Sequence, residues 1–148
     1  MKESDQKILN ILQENAKLSY KKISELTGIP ASTIHFRVQR MMERGIIDKF
    51  SVIINLEKAG YNAVAWVGLS VDPTKMIQIS KQLSSLDSVS KIFSTTGDHN
   101  LVIQVIAKTE KELWRFLRRN VQTVDGVESR MDVSITLDIY KWNESLPQ

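Results

Sequence analysis

The chain has 148 residues, 42% of them hydrophobic, which is enough for one good core or two small ones. No apolar run approaches the ~18 residues of a membrane span and the opening MKESDQK has no apolar signal region, so a soluble cytoplasmic protein without a membrane partner is expected. The absence of cysteine excludes a disulfide scaffold and a thiolate metal site. The net charge of +3 is small but uneven: residues 1–60 carry ten Lys or Arg against seven Asp or Glu, and residues 61–148 carry ten against ten. All of the surplus therefore lies in the first part, as expected of a nucleic-acid-binding half joined to a half with other work.

In chain order, a first helix is predicted over Asp5 to Glu14, with Ile8, Leu9, Ile11 and Leu12 as its apolar face and Ser4 as N-cap. The stretch SYKKISELTGIPASTIHFRVQRMMERGII, Ser19 to Ile47, then reads as two helices around a tight turn. The first is capped by Ser19, buries Ile23 and Leu26 and ends at Gly28. The second buries Ile34, Val38 and Met41 at i, i+4 and i+7 and stops at Gly45. Its outer side offers Ser32, Thr33, His35, Phe36, Gln39, Arg40 and Glu43, a mixture suited to base edges and phosphates in a major groove, although an ordinary helical hairpin also presents a polar face. If Pro30 is the first helical residue, Ser32 is free to meet a phosphate; if the helix begins later, Ser32 is the cap.

A β-branched and aromatic run, Ile46 to Ile54, is predicted as a strand, the wing of the helix–turn–helix or part of its onward connection. The domain boundaries expected are residues 1–54, a linker over 55–62 with a turn at Gly60, and a second domain over 63–148. That second domain alternates strands and helices. Ala63 to Val71 is a strand apolar on both faces, followed by a helix from Pro73 with Met76, Ile79, Leu83 and Leu86. Val89 to Thr95 and Leu101 to Ala107 are strands joined by Thr96-Gly97-Asp98-His99-Asn100. A helix capped by Thr109, with Glu112 three residues on, buries Leu113, Phe116, Leu117 and Val121. A last strand, Met131 to Ile139, alternates apolar and polar residues without a break.

The fold class is thus α+β, an N-terminal (winged) helix–turn–helix followed by a ferredoxin-like βαββαβ domain. Its two helices can cover only one face of the sheet, which leaves Val64, Trp66, Val102 and Ile106 to be buried by another copy or to stand as a greasy monomer surface.

This organisation resembles the Lrp/AsnC, or feast/famine, family of transcription regulators over nearly the whole chain. The resemblance rests on Asp5 with Ile8-Leu9, the core from Ile34 to Met41, Gly45-Ile46-Ile47, and Thr96-Gly97-Asp98-His99-Asn100-Leu101. It implies pairing through the C-terminal sheets, further assembly to tetramers or octamers, and an amino acid bound where dimers meet. Gly97, Asp98, His99 and Asn100 match the family's effector loop. There Gly97 would let amides approach a carboxylate and Asp98 would receive an α-ammonium, while a plain hairpin turn would want the same residues. Ser134 and Thr136, and the loop Thr123-Val124-Asp125-Gly126, are further effector candidates.

The function expected is a homo-oligomeric, sequence-specific regulator of transcription, nucleoid-associated, that binds a pseudopalindrome in double-stranded DNA and responds to an amino acid; an effector-independent architectural or scaffold DNA-binding protein of the same fold is the alternative. Arg37 and Arg40 are expected on phosphate or guanine, Ser32, Thr33, His35, Phe36 and Gln39 nearest the bases, and Lys49 on the DNA backbone. No catalytic residue, metal or cofactor is expected. His99 beside Asp98 has no nucleophile or further ligand near it in sequence, and reads as a solvated turn residue.

Overall fold

In the computed structural model, which describes residues 1–141, the chain begins with three helices, α1 (Glu3–Glu14), α2 (Tyr20–Thr27) and α3 (Ala31–Glu43). They close over Ile8, Leu9, Leu12, Ile23, Ile34, Val38 and Met41. α1 starts two residues before the expected Asp5, and its N-cap is Lys2 rather than Ser4. The carboxylate of Asp5, at the third helical position, accepts the Lys2 N–H at 3.3 Å, which leaves Ser4 inside the first turn.

Ser19 caps α2 by accepting the Lys22 N–H at 3.2 Å, and Gly28 ends it in the left-handed region at φ +72°. Leu26 departs from expectation, since it is 59% exposed. Three residues fall short of one helical turn, so with Ile23 at the centre of the contact Leu26 is carried off it. Pro30 is the N-cap of α3, which places Ser32 second in the helix and settles the alternatives for its start: Ser32 does not cap. Gly45, at φ +65°, closes the other end of α3. Ile46 N–H donates to the Met41 carbonyl and Gly45 N–H to that of Met42, so the orphan carbonyls of the last turn are met.

The strand expected over 46–54 does not form. After the cap the chain is irregular, with Phe50, Val52, Ile53 and Ile54 exposed. No strand among the described residues pairs with it, and side-chain β preference cannot hold an extended segment whose backbone groups lack a ladder.

Residues 1–53 form one compact unit and residues 54–140 another. The second is built from β1 (Ala63–Val71), a 3₁₀ turn at Pro73–Lys75, α4 (Met76–Ser84), β2 (Val89–Ser94), β3 (Leu101–Ala107), α5 (Glu110–Phe116) extended by a π turn at Leu117–Val121, and β4 (Val127–Ile135). The sheet order is β2-β3-β1-β4 with every neighbouring pair antiparallel, the ferredoxin-like arrangement. One face carries Ala63, Ala65, Val67, Leu69 and Val71 of β1 and Leu101, Ile103, Val105 and Ala107 of β3, buried with Ile79, Leu83, Leu113, Leu117 and Val121 of the helical segments.

β4 runs four residues earlier than the expected Met131 to Ile139. Ile135 pairs with Ala65, Thr136 still donates to the Val64 carbonyl, and β1 then has little left to offer. Leu137 and Ile139 are therefore exposed although the alternating pattern continues through them.

The helical unit is tied across its sequence by one ion pair: Arg37 Nη1 on α3 donates to Asp5 Oδ1 on α1 at 2.6 Å, with 25% and 14% of the two side chains exposed. Burial of the Asp5 carboxyl opposes its ionisation, but the Arg37 guanidinium and the Lys2 N–H outweigh that and hold its pKa below the ordinary 3.8. A carboxylate depressed in the folded state stabilises above its unfolded pKa and loses that contribution as pH falls through the folded value. Asp5→Asn should cost about 1–3 kcal/mol at neutral pH. In denaturant titrations its deficit against wild type should shrink as pH drops below 3.8, and a deficit independent of pH would assign the loss to packing.

Candidate nucleic-acid interface and effector loop

α3 is held from behind by Ile34, Val38 and Met41 and at its end by the glycine cap, so its outward side is set by rotation alone. Ser32, His35, Phe36, Gln39, Arg40 and Glu43 are all exposed on that side. The His35 ring meets Tyr20 edge-on with centroids 5.6 Å apart. Phe36 is 59% exposed, and the Arg40 guanidinium lies over its ring at 5.7 Å from the centroid. Thr33 and Arg37 are half-buried at the border of the face. Arg37, expected on phosphate or guanine, has its Nη1 on Asp5, so it also ties α3 to α1. Lys49 is exposed in the irregular segment rather than on a wing strand.

In the second unit the loop between β2 and β3 holds four of the expected effector residues. Gly97, at φ +103°, and Asp98 are exposed at its tip. Asn100 is committed elsewhere. Its Oδ1 accepts the Val71 N–H at 2.8 Å, its Nδ2 donates to the Val71 carbonyl at 2.7 Å, and its backbone N–H donates to the Leu69 carbonyl. β3 begins at Leu101, opposite Leu69, so the backbone groups of Val71 lie past its end, and the Asn100 amide supplies the hydrogen bonds that β3 does not reach.

His99 is not a solvated turn residue. Its Nε2 donates to Asp132 Oδ2 on β4 at 2.7 Å, and its Nδ1 is buried without a partner among the described residues. The imidazole occupies the space that a side chain at Gly68 would need, since a Cβ built there would fall 2.3 Å from His99 Cδ2. Gly68 and Asp132 face each other across the β1–β4 ladder, so the ring spans one rung. Neither was singled out as a site residue from sequence. A lone glycine inside a strand is the available signal, because it marks close approach by another group.

Ser134 is exposed opposite Trp66 on the sheet face away from the helices, and Thr136, two residues on, is half-buried. The further candidate loop is a built turn. Asp125 accepts from Lys75 Nζ at 2.6 Å, Thr123 Oγ1 donates to the Arg119 carbonyl, and Gly126 takes φ +92°. Among the described residues no cluster of three or more His, Cys, Asp or Glu is arranged to hold a metal, and no helix is long and apolar enough to cross a membrane.

A helix–turn–helix with a cation-bearing outer face, joined to a βαββαβ unit, defines the class: a DNA-binding transcriptional regulator. Comparison with known proteins agrees. Residues 1–48 match the family model of winged helix-turn-helix DNA-binding domains, and residues 64–146 match that of the Lrp/AsnC ligand binding domain. Among curated relatives, the HTH-type transcriptional regulator FL11 of Pyrococcus furiosus is 35% identical, with 97% of this chain and 93% of that protein covered. The HTH-type transcriptional regulator Ptr1 of Methanocaldococcus jannaschii is 33% identical, with 97% and 96% covered. Among solved structures, AsnC of E. coli superposes with a TM-score of 0.90 at 26% identity, covering 99% of both chains. A Neisseria meningitidis transcriptional regulator solved as an L-Met complex superposes with a TM-score of 0.91 at 21% identity, covering 99% of this chain and 96% of that one. The chain belongs to the Lrp/AsnC family of transcriptional regulators.

The seat of His99 on Gly68 gives a thermodynamic test. Gly68→Ala should destabilise the protein by about 1–3 kcal/mol, because the new methyl and the ring compete for one space. In a His99→Ala background the same substitution should cost much less, and the double-mutant cycle from urea melts should show that coupling. Additive costs would mean that the ring does not occupy this seat in solution.

Proposed function

We propose that this regulator is a homodimer, or a tetramer or octamer of such dimers, that reads a pseudopalindromic operator with α3 and changes its DNA binding or assembly when an amino acid binds. The observation that carries the reading is the outer side of α3, where Ser32, His35, Phe36, Gln39 and Arg40 stand together on a helix buttressed from behind. Two such helices in successive major grooves of a dimer's site would lie ~34 Å apart. Pairing is supported by the sheet face opposite the helices, where Val64, Trp66, Val102 and Ile106 are half-buried and Trp66 stacks on Phe93, itself 49% exposed. Such a regulator would work on the chromosome, in the cytoplasm and at the nucleoid.

For the effector, the exposed pair Gly97 and Asp98 offers backbone amides and a carboxylate, complementary to the two ends of a zwitterion. Ser134 and Thr136 add hydroxyls to the open sheet face. The L-Met complex of the Neisseria regulator supports an amino acid as the ligand class. One observation favours the effector-independent alternative. Asn100 and His99, two of the loop's four candidates, already have partners within the chain.

Arg40→Ala should weaken operator binding by about 1–3 kcal/mol if Arg40 reads a base. Gel-shift titration measures this, and unchanged affinity would remove Arg40 from the interface. Binding should also fall steeply with salt as counterions are released, whereas an apolar protein contact through the same face would not. A thermal-shift screen of the common amino acids should show selective stabilisation by one ligand or a few, lost in Asp98→Ala. No shift with any of them would favour the effector-independent reading.

A further inference from the structure

Phe36 is the most exposed large apolar side chain of α3, at 59% against 40% for Met42 near the helix end, and its exposure serves no packing need of the helical unit. A single exposed apolar residue is ordinary on a protein surface, but this one has a second feature. Arg40, one turn further along, holds its guanidinium 5.7 Å from the ring centroid, so the ring restricts where the cation sits. Ser32 lies one turn before Phe36, and Gln39 and Glu43 flank Arg40. A recognition helix sets its N-terminal residues against base edges, and Phe36 sits in the N-terminal half of α3 with Arg40 one turn behind it. In a major groove the apolar feature available to such a ring is the C5-methyl of thymine, and the guanidinium suits the O6 and N7 acceptors of guanine.

Building on the DNA-reading function proposed above, we propose that Phe36 and Arg40 act as one two-base reading head: Phe36 packs on a thymine methyl while Arg40, steadied by the ring, donates to a guanine within a base pair or two of it. The separation of ring and guanidinium is of the order of one to two base-pair rises of ~3.4 Å, so the two bases are near neighbours. Phe36 is thereby a specificity-determining residue whose contact is apolar. Its loss should relax the preference for thymine at one position in each half-site without lowering the salt dependence, since no phosphate contact is removed.

The test starts with the full-length protein and a random pool of duplex DNA, from which the bound sequences are selected. Each thymine of the selected operator is then replaced singly by deoxyuridine, which deletes only the methyl group. Wild type should lose about three- to five-fold in affinity at one thymine per half-site, the worth of one buried methyl. Phe36→Ala should bind the thymine and deoxyuridine operators alike, and 5-methylcytosine in place of cytosine at that position should recover part of the wild-type affinity. Folding is not at issue for this variant because the side chain is exposed. A sequence-selective protein that is indifferent to every deoxyuridine, or a Phe36→Ala variant that keeps the wild-type sensitivity, overturns the Phe36 assignment while leaving DNA reading intact. Failure of the pool to yield any preferred sequence overturns sequence-specific reading by this helix, and the reading head with it.

Discussion

β1 is hydrogen-bonded on both edges, to β3 and to β4, and what happens along it decides most of the second unit. Where β1 comes to its end, β4 loses its partner and stops at Ile135. Where it runs past the end of β3, the Asn100 amide takes over the Val71 backbone groups. Where it has no side chain, at Gly68, the His99 ring lies down on it and reaches Asp132 on the next strand. Three features that look independent in sequence are consequences of one strand's ladder. The requirement behind them is that a backbone N–H or carbonyl removed from water must find another partner.

The helical unit meets a different constraint. A recognition helix must expose polar groups on one side and still be fixed in orientation, which its short apolar stripe does only in part. The glycine cap fixes its end by closing the last carbonyls onto Gly45 and Ile46. The Asp5–Arg37 pair fixes its rotation relative to α1. An arginine on α3 thus serves the position of the helix, which leaves Arg40 as the exposed arginine on its outer face. The pair takes one charge of each sign, so the positive surplus of the first sixty residues is carried by the remaining side chains.

Hydrophobic period and glycine punctuation carried most of the fold. The three helices, the order of the βαββαβ elements and the bounds Ala63–Val71 and Leu101–Ala107 follow from local pattern, because in those segments pattern and tertiary pairing agree. Pattern failed where pairing decides. Ile46 to Ile54 has strand composition and no neighbour, and Leu137 to Ile139 continues an alternation past the end of its ladder. It failed also at Leu26, where spacing of three residues is compatible with either side of a short helix. At the candidate sites the residue types were legible, and their partners were not. Nothing local joins Asp5 to Arg37, or His99 to Asp132, across more than thirty residues of sequence.

The same logic sorts the candidates that remain. Arg37, His99 and Asn100 are each strong hydrogen-bonding groups placed beside a structural need, and in each case the fold has recruited them. A buried or half-buried polar group that left such a partner for a ligand would have to be repaid by that ligand in full, since an unsatisfied group costs about 1–3 kcal/mol. Ser32, Phe36, Gln39 and Arg40 on the helix, and Gly97 and Asp98 on the loop, are exposed and carry no such debt of partners. Their chemistry differs accordingly. The helix set offers hydroxyl, aromatic ring, amide and guanidinium, whereas the loop set offers one exposed turn with backbone amides and a carboxylate. A rigid face suits discrimination among base sequences, and a turn attached through Asn100 and His99 to the central strand suits a ligand whose arrival must be felt by the sheet.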